Sequence, residues 1–240
     1  MVDYTSTVSI TFIRKERQME MVRHKPKTIY NLDSNEKYSE ARIVGGNPIG
    51  LIDFNSTPHL WAVEIYKAMH GRRWVPEQVA VIQDRPKYKA ATGAPKRTYD
   101  LVLAQLSGND AFQTNQLMDG INRYITSGVV NCALATQAME ESIHSRSYSV
   151  MILDVTEDRD YVMYLHQHDK ELYLKDKAVG EMYSRLYDKD DPTTNDLLLC
   201  FVANLLLEGM IFFGGFAAMF ALEEYFPKSS EMIAEINHAA

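Results

Sequence analysis

The chain has 240 residues, 46% apolar and 24% charged, with a net charge of −7. That balance suits one large globular domain with a sizeable core, and it excludes bulk electrostatic attraction to nucleic acid or to an anionic membrane. The two cysteines, Cys132 and Cys200, sit far apart in apolar segments, which argues against a disulfide framework and fits a reducing cytoplasm.

The first 27 residues carry Arg14, Lys15, Arg17, Arg23, Lys25 and Lys27 against three acids. They read as a solvated tail rather than a docking arm, with no apolar region of signal-peptide type. Val8 to Ile13 alternates apolar and polar residues and predicts a short strand. Residues 1–46 are therefore taken as an N-terminal arm and 47–240 as a helical domain. After the turn residues Gly45 to Gly50 the pattern is helical almost throughout. Pro58 opens a first helix, and Trp74 starts a shorter segment. Long helices are predicted over Pro95–Ile125, Val129–Val155 and Glu157–Tyr187. Asp188 to Asp196 is a polar loop, with Thr194 or Asp196 as the cap of the next helix. Pro227 marks another break, with Ser229 or Ser230 capping the last helix. Gly93, Gly108, Gly120 and Gly128 fall at or within helical segments and predict reduced stability. The fold class is all-α, a bundle of long helices joined by short loops.

Leu197 to Leu222 is the most apolar stretch and is long enough to cross a bilayer, yet it contains Glu208. An ionised carboxylate is costly there, no second such segment exists, and the rest of the chain is soluble in character. The central helix of a bundle is the better reading, and there is no membrane partner. Inside a bundle Glu208 must be paired, protonated or metal-bound. Glu141 and His144 are three residues apart and share a helix face, and Tyr148 extends the same stripe. Glu-x-x-His on an inward face is the repeating element of ferritin-like di-metal bundles. Asp110 and Glu208, on the neighbouring helices, are candidates for the added carboxylates. Such an oxygen and nitrogen donor set suits iron or manganese. His166 and His168 point to different faces and read as a solvated pair.

"EESIHSRSY" at Glu140 to Tyr148 resembles the signature of the radical-generating small subunit of class I ribonucleotide reductase. "LSGNDAFQ" is similar to that family's first ligand segment, with Asp110 in the ligand place. "RRWVPEQV" resembles the segment bearing its radical-transfer tryptophan, here Trp74. "LLLEGMIFFGGF" resembles its central ligand helix, with Glu208 as ligand. The resemblance implies a ferritin-like bundle in which two irons, or manganese, are held by Asp110, Glu141, His144 and Glu208. It implies that Tyr148 is oxidised to a stable radical inside an apolar pocket of Phe212, Phe216 and Ile236. The hole then passes through Trp74 to a catalytic large subunit that makes deoxyribonucleotides. Small subunits of this family pair as dimers, here a homodimer or a heterodimer.

The sequence also departs from the family. Its second Glu-x-x-His belongs on the helix after Glu208, where this chain reads "SSEMIAEINHAA". Ala239 and Ala240 fall at the places of an Asp and a ligand Glu. The expectation is a bundle incomplete at the C-terminus, covering roughly the first two-thirds of such a subunit. A second metal is then held poorly, and the chain alone is inactive unless a complementing C-terminal fragment joins it. Two alternatives stand beside this reading: a ferritin-like oxidase or ferroxidase, and a non-catalytic partner of an intact small subunit.

Overall fold

The computed structural model describes residues Val22 to Ala239. The strand expected at Val8 to Ile13 lies outside the described residues, as do Arg14, Lys15 and Arg17. The part of the arm that is described docks rather than floats. Arg23 pairs with Asp191 at 3.2 Å, and Lys27 Nζ donates to Asn131 Oδ1 at 2.7 Å and to Asn122 Oδ1 at 3.2 Å.

The architecture is a helical bundle. The described residues contain no strand, only isolated bridges at Arg23–Thr193 and Val44–Ile125. Helix α1 (Leu60–Gly71) is followed by the short α2 (Arg85–Ala90), then α3 (Ala94–Asn115) and α4 (Gly128–Val155). The run α5 (Arg159–Met163), α6 (Leu165–His168) and α7 (Lys170–Tyr187) leads to α8 (Thr194–Leu206), α9 (Phe213–Phe220) and α10 (Pro227–Ala239). Helix α4 has no proline, and no glycine beyond its first residue, so nothing interrupts it for 28 residues. It packs along α3 on one side and α1 on another, while α9 closes on α3 and α10. Leu103, Leu106, Tyr148, Met151 and Ile152 fill the space between the two long helices and are almost fully buried.

Several boundaries differ from the sequence expectation, each for a local reason. The helix expected over Glu157–Tyr187 is three helices, because Asp158 and Asp169 act as caps. Asp158 accepts from the Tyr161 amide at 2.9 Å, and Asp169 accepts from the amides of Glu171 and Leu172. The cap of α8 is Thr193, not Thr194 or Asp196. The Asp196 amide donates to Thr193 Oγ1 at 3.2 Å, and the Thr193 amide donates back to Asp196 Oδ2 at 2.8 Å, forming a capping box. Pro58 precedes the first turn, since α1 begins at Leu60, and the Trp74 segment yields only a single 3-10 turn at Pro76–Gln78. Helix α10 begins at Pro227 itself. Ser229 does not cap it but donates from both N and Oγ to the buried Asp84. Gly93 is no weakness: it holds φ at +65° ahead of α3, a conformation that an L side chain rarely adopts.

The helical run expected to end at Ile125 changes pitch on the way. It passes through a π segment at Gln116–Gly120 and a 3-10 turn at Ile121–Tyr124. A second π segment, Leu207–Phe212, joins α8 to α9. The run Thr194–Phe220 is long and apolar enough to cross a membrane, but it is not buried all round as a central helix would be. Only 28% of its most apolar window is buried. One stripe, with Leu197, Cys200, Ala203, Leu207 and Phe216, enters the core. The other, with Leu198, Leu205, Met210 and Phe213, faces outward.

Removing the Thr193 hydroxyl by Thr193→Ala should cost about 1 kcal/mol, the usual worth of an N-cap. Thermal or urea unfolding measures the loss. An unchanged midpoint would mean that the box does not hold the start of α8.

Candidate metal centre

Asp110 comes from α3, Glu141 and His144 from α4, and Glu208 from the π segment after α8. The first three are buried, and each offers a ligand atom within 4.8 Å of the others'. Within α4 the three-residue spacing brings His144 Nδ1 to 3.2 Å from Glu141 Oε2. That contact orients the ring and leaves Nε2 buried without a partner. Glu208 Oε1 accepts from Gln137 Nε2 at 3.3 Å. The π segment adds a residue to the helical turn at Glu208, a local change of register common at functional sites. Apolar periodicity does not disclose it.

These groups line a cavity of about 230 Å³ together with Tyr148, Phe212 and Phe216. Tyr148 is fully buried, and its hydroxyl faces Asp110 without closing a hydrogen bond. The rings of Phe212 and Phe216 are 6.0 Å apart and wall the same space. One expected member of the pocket is elsewhere. Ile236 is buried in the core, and the α10 residue that lines the cavity is Asn237. Trp74 is buried with its Nε1 unpartnered, but it does not line the cavity. His166 is half-buried on the far side of α3, near Gly108, and takes no part.

The sequence reading missed Glu140. It is 3% exposed, and neither carboxylate oxygen has a hydrogen-bond partner. Its adjacency to Glu141 was the available signal. It lines a second, larger cavity of about 730 Å³ with Gln137, Glu141, His144, Glu208 and Ala239.

Burial dominates the electrostatics. It pushes Glu208 up to about 8 and Glu141 to about 7, and raises Asp110 well above the carboxylate range, with the neighbouring carboxylates adding to the rise for Asp110 and Glu208. Glu141 and Glu208 face each other closely enough to share a proton. Burial also pushes His144 down to about 4, so its ring is neutral at pH 7 and Nε2 has a free lone pair. Unpaired carboxylate oxygens and a neutral imidazole converging in a largely apolar cavity fit a divalent cation with a preference for mixed oxygen and nitrogen donors.

The model of "Ribonucleotide reductase, small chain" matches residues 51–238. The chain belongs to this family. A ribonucleoside-diphosphate reductase subunit beta of Treponema pallidum is 31% identical over 215 residues, which are 88% of this chain and 60% of the relative. The corresponding subunit of Aquifex aeolicus is 29% identical over 88% of this chain and 30% of its own length. The chain thus spans less than two-thirds of the first relative and under a third of the second. Among solved structures, the ribonucleotide reductase R2 subunit of Clostridium botulinum superposes with a TM-score of 0.82 and 26% identity, over 90% of this chain and 68% of that one. An R2-like ligand-binding oxidase with an Mn/Fe cofactor shares the fold at a TM-score of 0.60 and 18% identity, over 74% of this chain and 67% of its own. The ferritin-like bundle is therefore this chain's fold.

The carboxyl shifts carry a sign that can be tested in the metal-free protein. The histidine is neutral in the fold and loses its last protons in the unfolded state just above its ordinary value of about 6.5, a small opposing effect, and free carboxyls, near 4.3, are already ionised. The folded state still holds protons on Glu141 and Glu208 until pH rises through about 7 and 8. It therefore binds more protons than the unfolded state, and stability falls as pH rises through this window. The melting temperature measured in chelator should drop between pH 6.5 and 8.5. A flat or rising profile would contradict the buried cluster.

Proposed function

We propose that this chain forms the metal- and radical-bearing part of a ribonucleoside-diphosphate reductase small subunit. Asp110, Glu141, His144 and Glu208 are its ligands for iron or manganese, and Tyr148 is the residue that becomes oxidised. The observation that carries the reading is the shared cavity: the tyrosine and the converging donors line one space walled on one side by Phe212 and Phe216. When bound, the metal supplies one-electron oxidising power in the presence of oxygen. The protein's part is to hold the donors, exclude water and manage the proton. Tyr148 loses its phenolic proton as it is oxidised, and the Asp110 carboxylate facing it is the acceptor. The phenylalanine rings keep reductants and water from the oxidised ring. Trp74, buried outside the cavity, is the next carrier toward a catalytic large subunit that reduces ribonucleotides. The outward apolar stripe of α8 and α9 supports association with further polypeptide of the same enzyme, as a dimer of small subunits or with a complementing segment.

Ferrous binding tests the ligand set. Asp110→Asn and His144→Ala should each lower affinity at least about tenfold, the loss seen even for an outer partner of a metal site. Unchanged affinity in both, with the fold intact by circular dichroism, would contradict the assignment. A polypeptide of these 240 residues given ferrous iron and oxygen should show no stable tyrosyl radical by electron paramagnetic resonance. Of its two Glu-x-x-His pairs only Glu141–His144 lines the cavity, since α10 presents Asn237 there rather than Glu235 or His238, and Trp74 Nε1 has no partner among the described residues. A tyrosyl signal would contradict that expectation.

The likeness to an R2-like ligand-binding oxidase, together with the 730 Å³ cavity beside the donors, favours a second reading as an oxidase. Tyr148→Phe separates the two. An oxidase keeps iron oxidation and its product chemistry, whereas the reductase role loses its radical.

A further inference from the structure

Glu140 is the one buried carboxylate of the cluster that the proposed function leaves without a task. On α4 it stands three residues after Gln137 and four before His144, so these side chains form one patch. The two cavities divide the cluster unequally. Asp110 and Tyr148 line only the smaller one, and Gln137 and Glu140 line only the larger. Glu141, His144 and Glu208 line both, and so form the partition between them.

The titratable and charged groups around Glu140 are Glu141 and His144 on its own helix, His70 and Arg73 at and beyond the end of α1, and Arg72 and Glu208, which line the same cavity. None of them pairs with it. Arg73 Nη2 is directed at the Met139 sulfur at 3.2 Å, and His70 Nε2 at the Thr136 hydroxyl at 3.5 Å. Both Glu140 oxygens remain buried and unpartnered at the wall of the larger cavity. A carboxylate in that state is costly to retain unless a cation or a proton joins it. Charge balance points the same way. Asp110, Glu141 and Glu208 bring three negative charges, enough for one divalent cation but one short of neutralising two. Glu140 brings the fourth.

We propose that Glu140 supplies a carboxylate to a second divalent-cation position on the far side of the Glu141–Glu208 partition, at the head of the larger cavity. The inference rests on the metal-site reading above. Asp110, Glu141 and His144 define the tighter position, and Glu140, Glu141 and Glu208 the weaker one. The hard oxygen donors of the weaker position suit Mn²⁺ or Fe²⁺.

Anaerobic titration of the full chain with Mn²⁺, read by calorimetry and by metal analysis after desalting, tests it. The parent should bind two Mn²⁺, one more tightly than the other. Glu140→Gln should keep the tighter event and weaken the second at least tenfold, while Asp110→Asn should do the reverse. An E140Q isotherm identical to the parent's, or a parent that binds a single Mn²⁺, overturns the proposal and leaves the first position standing. A parent that binds none overturns the metal-site reading as well. Metal-free melting separates ligation from a structural role. Glu140→Gln removes an unpaired charge and should melt no lower than the parent, whereas a lower midpoint would mean that Glu140 holds the fold together and would count against the proposal. The parent alone gives an independent answer. With two equivalents of Mn²⁺ the sextet of isolated ions should be lost to exchange coupling through the shared carboxylates, and a full-intensity sextet from the second equivalent overturns the shared site.

Discussion

Four carboxylates held inside a helical bundle without a counter-cation are the constraint on which the rest of this structure depends. Asp110, Glu140, Glu141 and Glu208 converge from three directions with a neutral histidine and a glutamine among them, and Arg72, which lines the larger cavity, forms no ion pair with any of them. Leaving such charges bare in an apolar interior costs several kcal/mol each. The metal-free fold meets that cost by holding protons, which is why the carboxyl groups ionise so late. The walls of the site are apolar on one side. Phe212, Phe216 and the fully buried Tyr148 close it from one side, and the long uninterrupted α4 sets the spacing of Glu141, His144 and Tyr148 rigidly enough for them to share a cavity.

How much of this could be read from the sequence depended on whether the signal was local. Glu141, His144 and Tyr148 were legible because helical spacing alone places them on one stripe. Glu208 was legible because a charge inside an apolar run is an energetic anomaly wherever it occurs. Asp110 was a candidate by its place on the preceding helix, and the family resemblance strengthened it, since one aspartate near a glycine has many ordinary explanations. Glu140 escaped notice because adjacency to a ligand says nothing of burial; only the packed structure shows that both of its oxygens are sealed in. Ile236 followed the family pattern into the core but not into the cavity, where Asn237 stands instead.

The fold was legible at the level of class and of the longest helices, and less so at the ends. Periodicity found α3 and α4 because each buries a continuous face. It merged α5, α6 and α7 because it cannot tell an aspartate that caps from one that faces water. Asp158 and Asp169 both cap here. The apolar run after Thr193 was read as a helix buried all round, whereas Leu205 and Met210, at 68% and 67% exposed, stand on an open face. Composition records that a helix is apolar; which face meets the core depends on neighbours far away in the chain.

The most direct measurement of the central claim is the proton balance of metal binding. Ligand carboxyls must be deprotonated before they can hold a cation, so binding to a cluster that carries protons near neutral pH releases them. Calorimetric Mn²⁺ titrations of the whole chain at pH 7, in two buffers of different ionisation enthalpy, count those protons. The account predicts a net release of about one proton or more per cation, from groups with the elevated values of Glu141 and Glu208. Binding enthalpies that do not depend on the buffer would contradict it, for they would mean that the carboxylates were already bare in the metal-free fold.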